Sequence, residues 1–480
     1  MIHVRSAAEL LPLLPELVLV GGAFALLMLD LFLSDQRRVA IHVLSIALLL
    51  ATTALLACGV GGHGVVFSGM FVRDTLADVL KIGIGLATAL SMVYLWPYMR
   101  ERGLYKGEMS VLMLFAALGM MLLVSAGNLV MIYIGLEMLA LCSYALVAID
   151  RDNSMASEAG IKYFVLGSLA SGLLLYGLSL IYGATGTLDL SAIALAAQTT
   201  PSYTMLVTGV VFAVAGIGFK FGAAPFHMWL PDVYHGAPTP ITLFIGSAPK
   251  LAAFGMTFRL LEQGVGPVDD HWRIMLAALA VLSLALGNLG AIMQGNLKRM
   301  LAYSTISHVG FLLMGFAGAG PGGFAAAMFY SISYALMAAA AFGAIVVLSS
   351  RGFEADEIVD YKGLNARDPW MAGMVLLVMF SLAGIPPFIG FWAKLAVLQA
   401  AVQGDMLWLA IVGIVFAVVG AFYYLRVVKA MYFDEPVGEM PPPSQNRPLR
   451  VVFGVNALAL LALGLAWSPI MEWCQRSFGI

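Results

Sequence analysis

Five lysines stand inside apolar runs of this chain, Lys81, Lys162, Lys220, Lys250 and Lys394, and the strongest cases are Lys220, Lys250 and Lys394, together with the acid Glu137. An ionisable group inside a membrane span costs at least about 2.5–3.5 kcal/mol on insertion scales, so such groups are few and mark function. Lys250 sits about ten residues into its run, some 15 Å deep at ~1.5 Å per residue, beside Pro249. Lys220 lies in a Gly218-x-x-x-Gly222 frame that permits close helix approach. Lys394 follows a proline-rich break by about two turns. Glu137, in Tyr133-Ile134-Gly135-Leu136-Glu137-Met138, is the acid expected in the middle of a span. A static ion pair would account for Glu137 and one lysine and leave the other lysines unpaired. Burial disfavours the charged form of either group and an approaching opposite charge restores it, so a Glu–Lys contact that forms and breaks can take up and release a proton. Moving a proton against about 180 mV costs roughly 4 kcal/mol, a swing that such a contact can supply.

His308, in Tyr303-Ser304-Thr305-Ile306-Ser307-His308, shares a helical face with Ser304. Its near-neutral titration suits a relay between lysine sites, and a hydrogen-bonded packing histidine fits equally well. Lys162 lies a few residues inside its span, where its ammonium could reach the interface; it stands as a further relay candidate. Lys81, with Asp74 and Asp78 preceding it, reads as part of an interfacial charge cluster. Two other patterns carry no site. Gly318-Ala319-Gly320-Pro321-Gly322-Gly323 follows no strand and joins two apolar segments, so it is no nucleotide loop. His227, Asp232 and His235 lack metal-ligand spacing, and the three cysteines, Cys58, Cys142 and Cys474, form no Cys-x-x-Cys pair. No metal or redox group is expected in this chain.

The elements that must hold these residues are membrane helices. Of the 480 residues, 61% are hydrophobic and 11% charged, and the net charge is -2, a composition that fits a lipid bilayer and excludes nucleic acid as a partner. A span takes ~20 apolar residues, which predicts an all-α integral membrane protein of about fourteen spans: 10–33, 38–59, 75–97, 109–126, 128–150, 158–183, 202–235, 240–261, 272–293, 298–317, 322–350, 370–403, 405–433 and 450–470. The first span is expected to be retained, being too long for a signal-peptide core. The runs 202–235 and 370–403 are too long for one straight helix. Each carries a Gly/Pro interruption, at Gly222-Ala223-Ala224-Pro225 and at Gly384-Ile385-Pro386-Pro387.

Interrupted spans about five apart point to a transporter built from two repeats. With an odd number of spans each, the repeats are inverted. The expected organisation is residues 1–108 as an N-terminal three-helix segment, 109–261 as the first five-helix repeat (spans 4–8), 272–433 as the second (spans 9–13), and 434–480 as a cytoplasmic Pro-rich loop and a C-terminal span. Lys and Arg gather on one set of loops, among them Arg37, Arg38, Arg100, Arg102, Lys106, Arg151, Lys298, Arg299, Arg351, Lys362, Arg426, Lys429 and Arg447. Arg5, Arg73, Arg259, Arg273 and Arg476 fall on the other. The basic set is expected in the cytoplasm, with both termini on the opposite side. The loop 351–369 and the stretch 436–448 are the sizeable polar excursions.

Three stretches resemble a known family: Lys220 to Pro240 (KFGAAPFHMWLPDVYHGAPTP), Asn296 to Gly310 (NLKRMLAYSTISHVG) and Gly384 to Lys394 (GIPPFIGFWAK). They are similar to the antiporter-like membrane subunits of respiratory NADH:quinone oxidoreductase, complex I, and the likeness runs over nearly the whole chain. Lys394, where the M type carries an acid, and Leu14-Pro15-Glu16 before a long apolar helix resemble the N type. The length leaves no room for the lateral helix of the L type. The resemblance implies proton-translocating roles for Glu137, Lys220, Lys250 and Lys394, with His308 and Lys162 at relay positions. It also implies an obligate bacterial inner-membrane complex with other membrane-arm subunits, in which FMN, iron–sulfur clusters and the quinone belong to other chains. A cation/proton antiporter subunit outside any redox complex is the alternative reading.

Overall fold

The order of helices follows the apolar runs. The computed structural model describes residues 7–34, 37–436 and 446–480; Arg5 and most of the stretch 436–448 lie outside the described residues. The first six helices are α1 (Leu14–Asp30), α2 (Val39–Ala57), α3 (Thr75–Glu101), α4 (Gly107–Val124), α5 (Leu129–Val147) and α6 (Ser154–Thr185). Next come the short α7 (Leu190–Ala197), then α8 (Tyr203–Phe221), α9 (Trp229–Gly236), α10 (Thr239–Gly246), α11 (Ala248–Thr257), α12 (Asp269–Ile292), α13 (Leu297–Gly318) and α14 (Gly320–Leu348). The chain continues through α15 (Leu364–Arg367), α16 (Pro369–Ala383), α17 (Ile389–Gln403), α18 (Leu407–Tyr432), α19 (Arg447–Leu465) and α20 (Ser468–Arg476). Thirteen helical stretches among the described residues are long and apolar enough to cross a membrane, α10 and α11 counting as parts of one, Thr239–Gly264. Neither α16 nor α17 is long enough alone. Together they fill the place expected for the span 370–403.

Asparagine and aspartate start several of the spans. Asn128 Oδ1 accepts from Met131 N at 2.8 Å, and Asp74 Oδ1 from Ala77 N at 2.9 Å; Asn296 caps α13 likewise. Each satisfies an N–H that the first turn of a helix leaves free. Close packing follows where glycine removes the side chain. A Cβ on Gly119 of α4 would lie 2.9 Å from Gly135 O of α5, and one on Gly135 would lie 2.9 Å from Gly119 O. The face of α5 next to Glu137 is therefore pressed backbone to backbone against α4.

Both expected interruptions are present. Gly222, at φ 77°, ends α8, and Gly384, at φ 84°, ends α16, each in the left-handed conformation that glycine adopts without strain. A third interruption went unread in the sequence: Ser247, at φ -110° and ψ -85°, separates α10 from α11 just before Pro249 and Lys250. The same span closes in a π-helical turn, Phe258–Gly264. A small antiparallel hairpin, β1 (Gly64–Val66) with β2 (Phe71–Arg73), joins α2 to α3.

Polar contacts at the two ends of the helices keep to the expected division of loops. At one end Arg102 Nη2 meets Glu354 at 2.9 Å, Arg299 Nη1 meets Asp232 at 2.8 Å, and Arg426 Nη1 donates to Ile292 O at 2.9 Å. At the other, Arg259 Nη2 meets Asp74 at 2.8 Å and Arg273 Nε donates to Ala317 O at 3.0 Å. Several expectations need correction. Lys298 was counted as a loop residue but is buried on the first turn of α13, its Nζ 2.8 Å from Ala237 O. Arg73 and Arg259 are buried as well, folded back onto carbonyls and carboxylates instead of facing water.

Candidate functional site

The carbonyl ends of α8 and α16, the first halves of the two broken spans, are each met by a buried lysine. A helix end leaves its last carbonyls without intrahelical partners and carries a partial negative charge. The end of α8 is met by Lys250 of α11, whose Nζ donates to Phe221 O at 2.6 Å. The end of α16 is met by Lys394 of α17, whose Nζ donates to Leu382 O at 3.0 Å and Ala383 O at 2.8 Å. Both lysines are buried. An aromatic ring flanks each ammonium, Trp229 at 5.9 Å from Lys250 and Phe311 at 5.3 Å from Lys394. Lys298 repeats the pattern at the end of α9 through Ala237 O.

Lys220, in the last turn of α8, is half-buried and lies within reach of the charge of Glu137 on α5. Among the described residues no ion pair locks the two together. Glu137 Oε1 is buried with no hydrogen-bond partner in the protein. Glu137 as a whole is less buried than its place in the span suggests, because it sits on the face of α5 that carries the exposed Ile134 and Leu141. The carboxylate is thus held between the bundle and whatever adjoins that face.

His308 is fully engaged. Its Nδ1 is 2.7 Å from Tyr330 OH and its Nε2 3.0 Å from Tyr424 OH. Tyr424 OH also bonds Ser304 Oγ, so the shared face expected for Ser304 and His308 is closed by one tyrosine from α18. Helix α14 ties this group to Lys250: Tyr330 contacts His308, and the next residue, Ser331, donates from Oγ to Lys250 O at 3.2 Å. Tyr334, one turn on, donates to Thr305 Oγ1 at 2.7 Å. Hydroxyls and an imidazole, each able to give and accept a proton, therefore lie between the two broken spans.

Lys162 takes a different place. Its Nζ lies 2.8 Å from Glu158 and 2.7 Å from Asp232, and its side chain is 42% exposed. Asp232 also binds Arg299, so Lys162 belongs to a surface charge network at the basic end. With Asp232 spent on two cations, His227, Asp232 and His235 make no ligand set, and among the described residues no group of His, Cys, Asp and Glu could hold a metal.

Four titratable groups were misread or missed. Lys81 does not join Asp74 and Asp78; its ion pair is with Glu16 of α1 at 2.5 Å, and both residues are buried. Glu16 entered the sequence reading only within Leu14-Pro15-Glu16, and its burial means that Glu137 is not the one acid inside a span. Asp78 turns instead to Arg73, with Nε···Oδ1 at 2.8 Å. Lys298 escaped because it follows the cap Asn296 so closely. The readable signal was that it heads a helix of small and apolar residues with no acid on it.

Residues 126–420 match the family model described as NADH:quinone oxidoreductase/Mrp antiporter, TM. A protein of Xanthomonas euvesicatoria named NADH-quinone oxidoreductase subunit N is 66% identical over 98% of this chain and 97% of its own length. One of the same name from Methylovorus glucosotrophus is 52% identical over 97% of both. Among solved structures, a chain of respiratory complex I from Thermus thermophilus superposes with a TM-score of 0.81 at 31% identity, covering 95% of this chain and 98% of that one. A chain of the Mrp complex from Dietzia superposes at a TM-score of 0.85 but 21% identity, over 99% and 97%, a likeness of fold.

Proposed function

This chain belongs to the subunit N family of NADH-quinone oxidoreductases, and from that premise we propose that Glu137, Lys220, Lys250, His308 and Lys394 form its proton path, with Lys162 at the edge. It is a multi-pass subunit of the bacterial inner membrane and a proton-translocating part of respiratory complex I, assembled with other membrane-arm subunits. FMN, the iron–sulfur clusters and the quinone sit, in this reading, in those other chains.

One observation carries the assignment of the path. Lys250 and Lys394 each donate into the free carbonyls of a helix that stops inside the bilayer. Such carbonyls stabilise an ammonium without neutralising it. A proton can then leave the lysine for a neighbouring base without breaking a carboxylate pair. Glu137 is that kind of movable charge for Lys220, close enough to act and not locked to it. His308 and its tyrosines carry the proton between the broken spans. A redox step elsewhere has to deliver roughly 4 kcal/mol per proton against ~180 mV, and displacing Glu137 from Lys220 is where this chain takes it up.

We also read residues 109–261 and 272–433 as two inverted repeats. Support comes from the matched breaks, each with a left-handed glycine and a lysine at its carbonyl end. The alternative, a cation/proton antiporter outside a redox complex, rests on a likeness of fold at 21% identity, against 66% for a complex I subunit. Lys220→Ala and Glu137→Ala, introduced into the assembled complex, test the path. The complex should assemble in normal amount, with NADH-driven acidification of inverted vesicles and the coupled quinone-reductase rate both reduced. Unchanged coupled activity in both variants would remove these residues from the path.

A further inference from the structure

The first four helices contain polar groups that the broken-span path leaves unused. The Glu16–Lys81 pair joins α1 to α3, 2% and 0% exposed, and neither Glu16 oxygen nor Lys81 Nζ has a hydrogen bond beyond that contact. One turn before Lys81, Asp78 binds the Arg73 guanidinium through Nε at 2.8 Å and Nη2 at 3.3 Å. It also binds His63 Nε2 at 3.2 Å. His63 has 54% of its side chain exposed. The pair is thus one turn from a histidine open to the non-basic face.

Towards the basic face the buried sides of α2 and α3 continue the polar character. The two helices run antiparallel, and two contacts fix their register. A Cβ on Gly85 would meet the Thr53 hydroxyl, and the His42 ring stacks on Trp96 at 5.4 Å. Between those anchors lie Ser45 and Thr88, both fully buried, with Oγ and Oγ1 lacking any protein hydrogen-bond partner. Buried hydroxyls without protein partners are where internal water binds. At the far end His42 Nδ1 is 3.2 Å from Ser110 Oγ, which Tyr105 OH also contacts at 2.9 Å. His42 lines an open pocket of about 590 Å³ between α2, α3 and α19, where Trp96, Arg100 and Glu101 stand among apolar residues such as Ile46 and Val93. From Trp96 to Lys81, α3 covers about 22 Å at ~1.5 Å per residue, most of the ~30 Å hydrocarbon thickness.

We propose that α1–α4 enclose a second, hydrated proton column, separate from the broken-span path, running from the pocket at His42 past Ser45 and Thr88 to the Glu16–Lys81 pair and out through Asp78 and His63. The pair is its gate. As ammonium and carboxylate it is closed. A proton arriving by water on Glu16 makes the carboxylic acid and loosens the contact; Lys81 then gives one proton to the water at Asp78 and His63. The Glu16 proton returns to Lys81, so one proton enters, one leaves and the pair is restored. The pair's neighbours in charge are Asp78, Arg73 and Asp74, the last of them held by Arg259. An ion pair kept only as a brace would not require orphan hydroxyls along one register or a pocket at His42. Buried pairs are in any case weak sources of stability.

The proposal rests on the chain being a proton-translocating subunit, and the experiment separates the two. The intact complex carrying Thr88→Val, Glu16→Gln or Lys220→Ala is compared in inverted membrane vesicles for protons moved per NADH oxidised. Thr88→Val is isosteric and removes no charge. The expected result is a lower ratio in all three at normal assembly, in Thr88→Val because a methyl group in place of the hydroxyl interrupts the water column. The redox-induced infrared difference spectrum should also lose a carboxylic-acid C=O band in Glu16→Gln. An unchanged ratio in Thr88→Val with no Glu16 band overturns the column even where Glu16→Gln assembles poorly, since the pair is then a brace. A normal ratio in Lys220→Ala overturns the broken-span path instead and leaves the column standing.

Discussion

Replacing Lys394 by methionine and by arginine separates two tasks that the proposed path gives to one ammonium. The Nζ donates to Leu382 O and Ala383 O at the end of α16. A hydrogen bond to a charged group contributes about 1.5–3 kcal/mol, so losing both forfeits roughly 3–6 kcal/mol. Methionine also removes a buried charge, whose desolvation costs several kcal/mol. The two effects nearly offset, so Lys394→Met should change the stability of the assembled complex by less than about 2 kcal/mol while ending proton release at this site. Lys394→Arg keeps a cation and donors for the carbonyls, but with a pKa above about 12 fewer than roughly 1 in 10⁵ guanidiniums are deprotonated at neutral pH. It should therefore cap α16 and still fail to pass a proton. The assay is NADH-driven acidification of inverted vesicles, normalised to assembled complex, beside a thermal melt of the purified complex. Both variants should lose the same share of protons per electron, with near-parental melting. Parental pumping in Lys394→Arg would refute the reasoning, because a fixed cation would then suffice.

Gly384→Ala should lower both stability and pumping: at φ 84° a side chain costs about 1–2 kcal/mol, and its Cβ would lie 2.8 Å from Lys394 Cδ, pushing the ammonium off the α16 carbonyls. Melting and vesicle acidification of the same preparation check the two halves. At the opposite end of the bundle, burial would raise the Asp74 carboxyl, but the Arg259 guanidinium beside it outweighs burial and holds it below the usual carboxylate range. A depressed folded pKa gives stability that is present above the unfolded value and lost as pH falls through the folded one. Melting temperature should accordingly decline on acidification through and below the carboxylate range, and Asp74→Asn should lack that component.

What could be read from the sequence was what proline, glycine and length dictate. The two broken spans, the lysines beside them and the Ser304–His308 face are consequences of backbone chemistry and helical period, and they stand where expected. The break at Ser247 was hidden because Pro249 can also begin a helix turn without interrupting one. Partners across the bundle were hidden altogether. Nothing in the spacing of Glu16 and Lys81 announces that α1 and α3 meet there, and nothing near Asn296 says that the end of α9 will rest on Lys298. Such pairings depend on which helices become neighbours, a property of the whole bundle.

The recurrence of one contact then has a physical reason. A lysine that must hold a proton at one moment and release it at another cannot be tied to a carboxylate, whose full charge would fix the ammonium. Water alone would leave a buried cation too costly. The end of a helix lies between these extremes: partial charge, fixed direction, and carbonyls that need a donor whether or not the proton later leaves. Lys250, Lys298 and Lys394 each sit at such an end. Among the described residues Lys81 alone of the buried lysines is paired with a carboxylate, so in the proposed column its proton moves only when a second one arrives, which is the behaviour of a gate rather than of a relay.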